Sequence, residues 1–181
     1  VSGRLKVAPE HTSDNVLKCM RKPSFTLFGE FKRIFDSINA DYDLKQQLIP
    51  YFISSHPGCK ESDMAELAAE TKALNFHLEQ VQDFTPTPMT VSTEMYYTGL
   101  DPYTLKPVFT AHTCDEKLAQ RKYFFWYEAD YRSDIISSLH RLGRQDLIAR
   151  LYPGNADYSR HGTRPDFHKR RNSNFGKKKK Y

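Results

Sequence analysis

Hydrophobic and polar positions along the first half of this chain alternate between a period of two and a period near 3.6. Arg4 to Pro9 sets Leu5 and Val7 on one side, which predicts a short strand. The polar pair Glu10 and His11 follows it. Thr12 or Ser13 can then cap a helix bearing Val16, Leu17 and Met20. Pro23 ends that helix and Ser24 can cap the next. There Phe28, Phe31, Phe35 and Ile38 are spaced three, four and three apart, so four large side chains share one helical face. Asn39 to Asp43 reads as a turn.

The apolar run Leu48 to Ile53 predicts a second strand. It stops at Ser54, Ser55 and His56, before a Pro57-Gly58 break. A helix starts at Ser62 or Asp63, with Met64, Leu67, Ala68, Thr71 and Leu74 on one face. Asn75 stands where a left-handed C-cap residue belongs. Phe76 to Phe84 is a third strand candidate. Gln80 and Gln82 share one of its faces and can line a barrel or merely make an edge polar, while Asp83 points the other way. Strands alternating with helices of this length predict an α/β fold with parallel strands and right-handed crossovers. Three such strands leave both sheet edges open. The pattern therefore predicts half of a barrel, with the other half missing or supplied by a partner. Polar turns after such strands gather at the carboxyl-terminal mouth, where these folds keep their chemistry.

Thr85 to His112 contains Pro86, Pro88, Pro102, Pro107 and Gly99, so it cannot be one long helix. It reads as a connecting arm, residues 91–114, packed over a first unit, residues 1–90. A helical extension, residues 115–155, follows. Asp115 caps a region with Leu118, Arg121, Phe125 and Trp126. Ile135, Ile136, Leu139 and Leu142 make a helix closed by Gly143. Leu147, Ile148 and Leu151 make another, closed by Pro153-Gly154. Residues 156–181 are expected to be a disordered basic tail.

Composition changes this picture in three ways. The 181 residues are 39% hydrophobic and 13% aromatic, enough for a packed core, and contain no apolar run long enough to span a membrane. The opening Val-Ser-Gly-Arg-Leu-Lys has no signal core, so a cytoplasmic location is expected. The net charge of +5 sits in the tail. Ala156 to Tyr181 carries nine Lys or Arg and two Asp, or +7, which leaves −2 for the rest. Lys177–Lys180 can contact nucleic-acid phosphates weakly and without sequence specificity, or simply aid solubility. The three cysteines, Cys19, Cys59 and Cys114, are far apart, so no disulfide framework and no local thiol cluster is expected.

Candidate chemistry lies at the strand ends. Glu10 can accept from hydroxyl or ammonium donors, and His11 can donate or accept, or both can cap the following helix. Ser54 and Ser55 can bind a ligand or serve as turn formers. His56-x-x-Cys59 can be half of a zinc site completed by His112-x-Cys114, though nothing in the sequence joins the two loops. Tyr123 to Tyr127 reads as core packing rather than a base-stacking platform.

The run Arg4-Leu-Lys-Val-Ala-Pro-Glu-His-Thr-Ser-Asp-Asn-Val-Leu-Lys-Cys-Met-Arg21 resembles a late-barrel strand and helix of radical S-adenosylmethionine (SAM) enzymes. His56-Pro-Gly-Cys-Lys-Glu-Ser-Asp-Met64 resembles the next strand's Gly-Phe-Pro-Gly-Glu-Thr turn. Phe84-Thr-Pro-Thr-Pro-Met-Thr90 resembles the Pro-rich turn after the last strand. With Met95-Tyr-Tyr-Thr-Gly-Leu-Asp-Pro-Tyr103 and Phe124-Phe-Trp-Tyr127, the resemblance narrows to YgiQ-type radical SAM proteins and covers Val1 to Tyr152.

That resemblance implies the C-terminal half of a radical SAM, partial TIM-like barrel. It implies a [4Fe–4S] cluster held by three closely spaced cysteines, and SAM cleaved to a 5′-deoxyadenosyl radical. It implies SAM or substrate contact by Glu10, His11, Ser54 and Ser55. This chain has no CxxxCxxC, and its three cysteines cannot place three thiolates on one short loop. The chain is therefore expected to be a C-terminal part without cluster ligands, inactive alone and partnered by the N-terminal half of the same barrel. The substrate is not legible. The competing reading is a non-catalytic binding module whose basic tail engages nucleic acid.

Overall fold

Three parallel strands carry the fold, β1 (Arg4–Glu10), β2 (Gln47–Ser54) and β3 (Gln80–Asp83), in the spatial order β1-β2-β3. The computed structural model describes residues 3–78 and 80–153, and for Gln80 the backbone alone. The expected basic tail lies outside the described residues. The sheet is open, with β1 and β3 at its edges, and the strands do not close into a barrel.

The register explains the shape of the first turn. Arg4 to Val7 pair in step with Gln47 to Pro50, but Glu10 then pairs with Phe52. One extra residue is thus inserted into β1 around Ala8 and Pro9. Pro9 has no N–H to give the ladder, and a bulge is where a sheet tolerates that loss. Beyond it Glu10 adopts φ 67°, a left-handed conformation unusual for glutamate.

Burial in β2 falls on alternate residues. Leu48, Pro50, Phe52 and Ser54 are buried, while Ile49, Tyr51 and Ile53 are half-buried on the opposite face. The buried side packs on helices α1 (Asp14–Cys19) and α3 (Glu61–Ala73). On the other side, the Tyr51 hydroxyl donates to the Gln82 side-chain oxygen. Gln82 therefore lies on the face a closed barrel would turn inward.

Helix α2 (Thr26–Asp41) crosses from β1 to β2. Its predicted apolar face is covered only in part, with Phe35 half-buried. Phe28 is buried, but Leu27, Phe31, Ile34 and Ile38 are 40 to 55% exposed. Among the described residues the sheet ends at β1 and no further element covers that face.

The arm contains a helix, α4 (Val91–Thr98), despite its prolines. Thr90 caps it through the Thr93 N–H, and Gly99 closes it at φ 67°. A short hairpin follows, bridged at Leu100 and Pro107. Helix α5 (Cys114–Arg121) starts two residues earlier than a cap at Asp115 would set it. Its cap is Thr113 rather than Asp115, because Thr113 and Glu116 form a reciprocal capping box. A 3-10 turn (Lys122–Phe125), α6 (Ala129–Arg141) and α7 (Gln145–Leu151) complete the described chain. Gly143 ends α6 at φ 70° and Asn75 follows α3 at φ 56°, both in the left-handed region.

These helices share one core with α3. Met64, Leu67 and Ala68 meet Tyr123, Phe124, Ile135, Leu139 and Leu147, all fully buried. The aromatic run is thus core at Tyr123 and Phe124, while Tyr127 at its end is 39% exposed. Among the described residues no helix is long and apolar enough to cross a membrane.

Candidate functional site

The carboxyl ends of the three strands meet around a cavity of about 300 Å³. Its walls include Glu10 after the bulge of β1, Ile53 and His56 around the end of β2, and Gln82 and Asp83 at the end of β3. Lys22, beyond α1, closes one side.

Glu10 presents its two carboxylate oxygens differently. Oε1 accepts from Lys22 Nζ at 3.1 Å, and the same ammonium donates to the Ala8 carbonyl at 2.9 Å. Oε2 is buried and has no partner. A buried charged acceptor without a donor is costly, so this oxygen is poised for a ligand ammonium or hydroxyl.

Asp83 is fully engaged. Ser54 Oγ donates to its Oδ1 at 2.5 Å, and Arg121 of α5 donates to its Oδ2 at 2.8 Å. His56 is held at both ring nitrogens. Nδ1 donates to the Pro57 carbonyl at 2.8 Å, so Nε2 accepts from the Ser92 hydroxyl at 2.8 Å. The Phe84 ring meets it edge-on, with centroids 5.0 Å apart. Burial pulls the His56 pKa down to about 4, so the ring is neutral at pH 7.

Of the four predicted contact residues, Glu10 lines the cavity. Ser54 reaches it only through Asp83. Ser55 is fully buried at φ 61°, its hydroxyl has no partner, and it is not part of the cavity wall. His11 is fully buried as well. Its Nδ1 accepts from the Ser13 N–H at 2.9 Å, and its Nε2 faces Cys59 Sγ at 3.4 Å. The left-handed turn at Glu10 sends these neighbouring side chains apart.

The proposed zinc half-sites do not join. His56 bonds Ser92, and Cys59 meets His11. His112 bonds the Thr110 hydroxyl at 2.7 Å, and Cys114 is exposed. Among the described residues no three His, Cys, Asp or Glu side chains converge as metal ligands.

Sequence reasoning missed Lys22, Ser92, Gln120 and Arg121. Each lies outside the three strands, and only the fold brings it to their ends. Gln120 carries the weakest signal. It is 2% exposed, while Leu118, which the pattern grouped with Phe125 and Trp126, is 56% exposed.

A family model described as a domain of unknown function (DUF3362) matches residues 79–179, from one residue before β3 onward. The chain is 70% identical over 152 residues to a UPF0313 protein of Bacteroides thetaiotaomicron, covering 84% of this chain and 24% of that protein. It is 64% identical over 152 residues to a UPF0313 protein of Porphyromonas gingivalis, again 84% and 24%. It is 47% identical over 148 residues to one of Clostridium perfringens, 82% and 22%. The chain thus spans about a quarter of the length of the curated relatives it matches. No solved structure matches it. With more than half of its residues matched by that model, the chain belongs to the DUF3362 family.

Proposed function

We propose that this chain forms the carboxyl-terminal part of a radical SAM iron–sulfur enzyme of the YgiQ type, with an unidentified substrate. In this reading the strand-end cavity holds part of SAM or of the substrate. The carrying observation is the buried, unpartnered Oε2 of Glu10 in its wall. SAM bears both kinds of donor this oxygen lacks, ribose hydroxyls and a methionyl ammonium. Charge-assisted bonds of this kind are among the stronger ones a site offers.

The neighbours of Glu10 suit this role. Lys22 fixes Oε1 and leaves Oε2 for the ligand. Arg121 and Ser54 occupy both oxygens of Asp83, so Glu10 is the one carboxylate of the wall with a spare acceptor. Neutral His56 adds a wall without charge.

The residues of this chain do not fit the cluster. Cys59 is buried against His11, Cys19 is partly buried, and Cys114 is exposed on another element. In this reading the three cluster thiolates come from elsewhere in a polypeptide of the relatives' length, and so do the remaining barrel strands. The cluster and SAM supply the radical chemistry; this chain contributes binding and orientation. The open edge of β1 and the uncovered face of α2 favour such a partner within the same polypeptide.

The test is calorimetric titration of the longer polypeptide with SAM under anaerobic conditions. Glu10→Gln is expected to weaken binding about tenfold or more, the loss of a charge-assisted bond. Equal affinity of variant and wild type overturns the reading.

A further inference from the structure

We infer that Gln120 is a positioning residue for the strand-end cavity, acting through the backbone of the turn between β2 and α3. The inference rests on the reading of that cavity as a ligand site. It makes the DUF3362 segment a working part of the site rather than an appended domain.

The geometry is specific to an amide. Gln120 Oε1 accepts from the Ser55 N–H at 2.8 Å, and its Nε2 donates to the Cys59 carbonyl at 2.8 Å. One side chain therefore ties both ends of the five-residue turn Ser55–Cys59. Other bonds hold the parts of the turn between these two ends. Ser55 is left-handed, a conformation that costs a serine energy unless its surroundings impose it. Inside the turn, the Cys59 N–H donates to the His56 carbonyl at 2.8 Å. From outside, the Gly58 N–H reaches the Phe109 carbonyl of the arm at 2.8 Å. His56, the second residue of this turn, is the part that lines the cavity.

The neighbouring contacts act in the same direction. Ser92 of α4 donates to His56, and Arg121, next to Gln120, holds Asp83. All of these contacts to the strand ends come from residues 92–121, within the matched DUF3362 region. No other side chain type replaces Gln120 fully. Glutamate keeps the acceptor for Ser55 but loses the donor for Cys59. Methionine keeps the volume and loses both.

The experiment uses the longer polypeptide as wild type, Gln120→Met and Gln120→Glu. Three quantities are read: hydrogen exchange of peptides covering 54–60, carbethoxylation of His56 by diethyl pyrocarbonate, and SAM titration. Gln120→Met is expected to speed exchange at Ser55 and labelling of His56 about tenfold, and to weaken SAM binding about tenfold, for two lost bonds. Exchange in α6 and α7 is expected to stay at the wild-type rate. Gln120→Glu is expected to keep Ser55 protected and to fall between the two in labelling and binding. Unchanged exchange and labelling in 54–60 overturns the inference. Faster exchange with unchanged SAM affinity also overturns it, since Gln120 would then be structural only. If the wild type itself binds no SAM, the ligand reading fails, and Gln120 is judged on the His56 labelling of both variants alone.

Discussion

His11 Nε2 and Cys59 Sγ face each other at 3.4 Å, and both residues are fully buried. The Ser13 N–H donates to Nδ1, so the ring proton sits on Nε2 and points at the sulfur. Burial pulls the His11 pKa down to about 3 and pushes the Cys59 thiol well up. Both groups are neutral at pH 7. The pair is neither a thiolate–imidazolium couple nor a metal half-site, but a polar plug joining the turn after β1 to the turn after β2.

A thiol-labelling experiment follows directly. Reaction with iodoacetamide requires a thiolate that solvent can reach. Cys114 is exposed, Cys19 is partly buried with its thiol pKa raised by burial, and Cys59 is fully buried. In the folded protein at pH 8, Cys114 is expected to react first and Cys59 not at all until denaturant is added. Early modification of Cys59 in peptide mass spectra contradicts this placement.

The two buried histidines set an acid limit on stability. Their folded pKa values, about 3 for His11 and about 4 for His56, lie below the ordinary 6.5. Between these values the unfolded chain binds protons that the folded chain refuses, so stability rises with pH. The contribution is complete above about pH 6.5 and is lost as pH falls towards 4 and 3. At pH 5 each histidine is expected to cost about 2 kcal/mol relative to pH 7. Most carboxylates are still ionised there, so the loss reports mainly the histidines. Thermal unfolding at pH 7 and pH 5 measures it, and equal melting temperatures would count against buried neutral rings.

Much of the scaffold is legible in the sequence, and the reasons are local. Leu5 and Val7, and then the run from Leu48 to Ile53, announce strands because apolar alternation and apolar runs are read residue by residue. Asn75 and Gly143 announce helix ends because few residues accept a positive φ. The site is less legible. Glu10 stands where the strand-end rule puts it, but His11 does not. Its burial depends on a one-residue bulge at Ala8-Pro9 that no periodicity reveals. Helix α4 hides among prolines, with only its two ends, Thr90 and Gly99, plainly signalled. Nothing in the apolar pattern singles out Gln120, whose partners are the backbone of a turn 61 to 65 residues away.

Lys22 and Glu10 are expected to behave as a coupled pair. Lys22→Met removes the donor to Glu10 Oε1 and to the Ala8 carbonyl, leaving a largely buried carboxylate with neither oxygen paired. The lysine side chain is 35% exposed, so solvent screens part of the loss, and about 1 kcal/mol of destabilisation is expected. Adding Glu10→Gln removes the stranded charge and should restore part of that stability. A double-mutant cycle from urea unfolding measures the coupling. Strict additivity would mean that the pair contributes nothing through its contact.

The exposed face of α2 tests the barrel reading itself. Leu27, Phe31, Ile34 and Ile38 follow one another at intervals of four, three and four, so they form a single stripe. Leu5 on β1 and Leu44 before β2 are 43% and 40% exposed. A groove of about 490 Å³ runs between β1 and the start of α2, walled by Val7, Pro9, Phe28 and Phe31. If a further strand pairs with β1 and its helix covers α2, as the proposed barrel requires, Ile34 is buried in the longer polypeptide. Ile34→Glu is then expected to destabilise that polypeptide by about 3 kcal/mol, through lost apolar burial and an unpaired charge. It should also raise hydrogen exchange across α2. At a surface position the same change stays within about 0.5 kcal/mol. Thermal unfolding of the longer polypeptide separates the two outcomes, and a change inside the surface range would leave α2 facing solvent and remove the barrel partner from this side of the sheet.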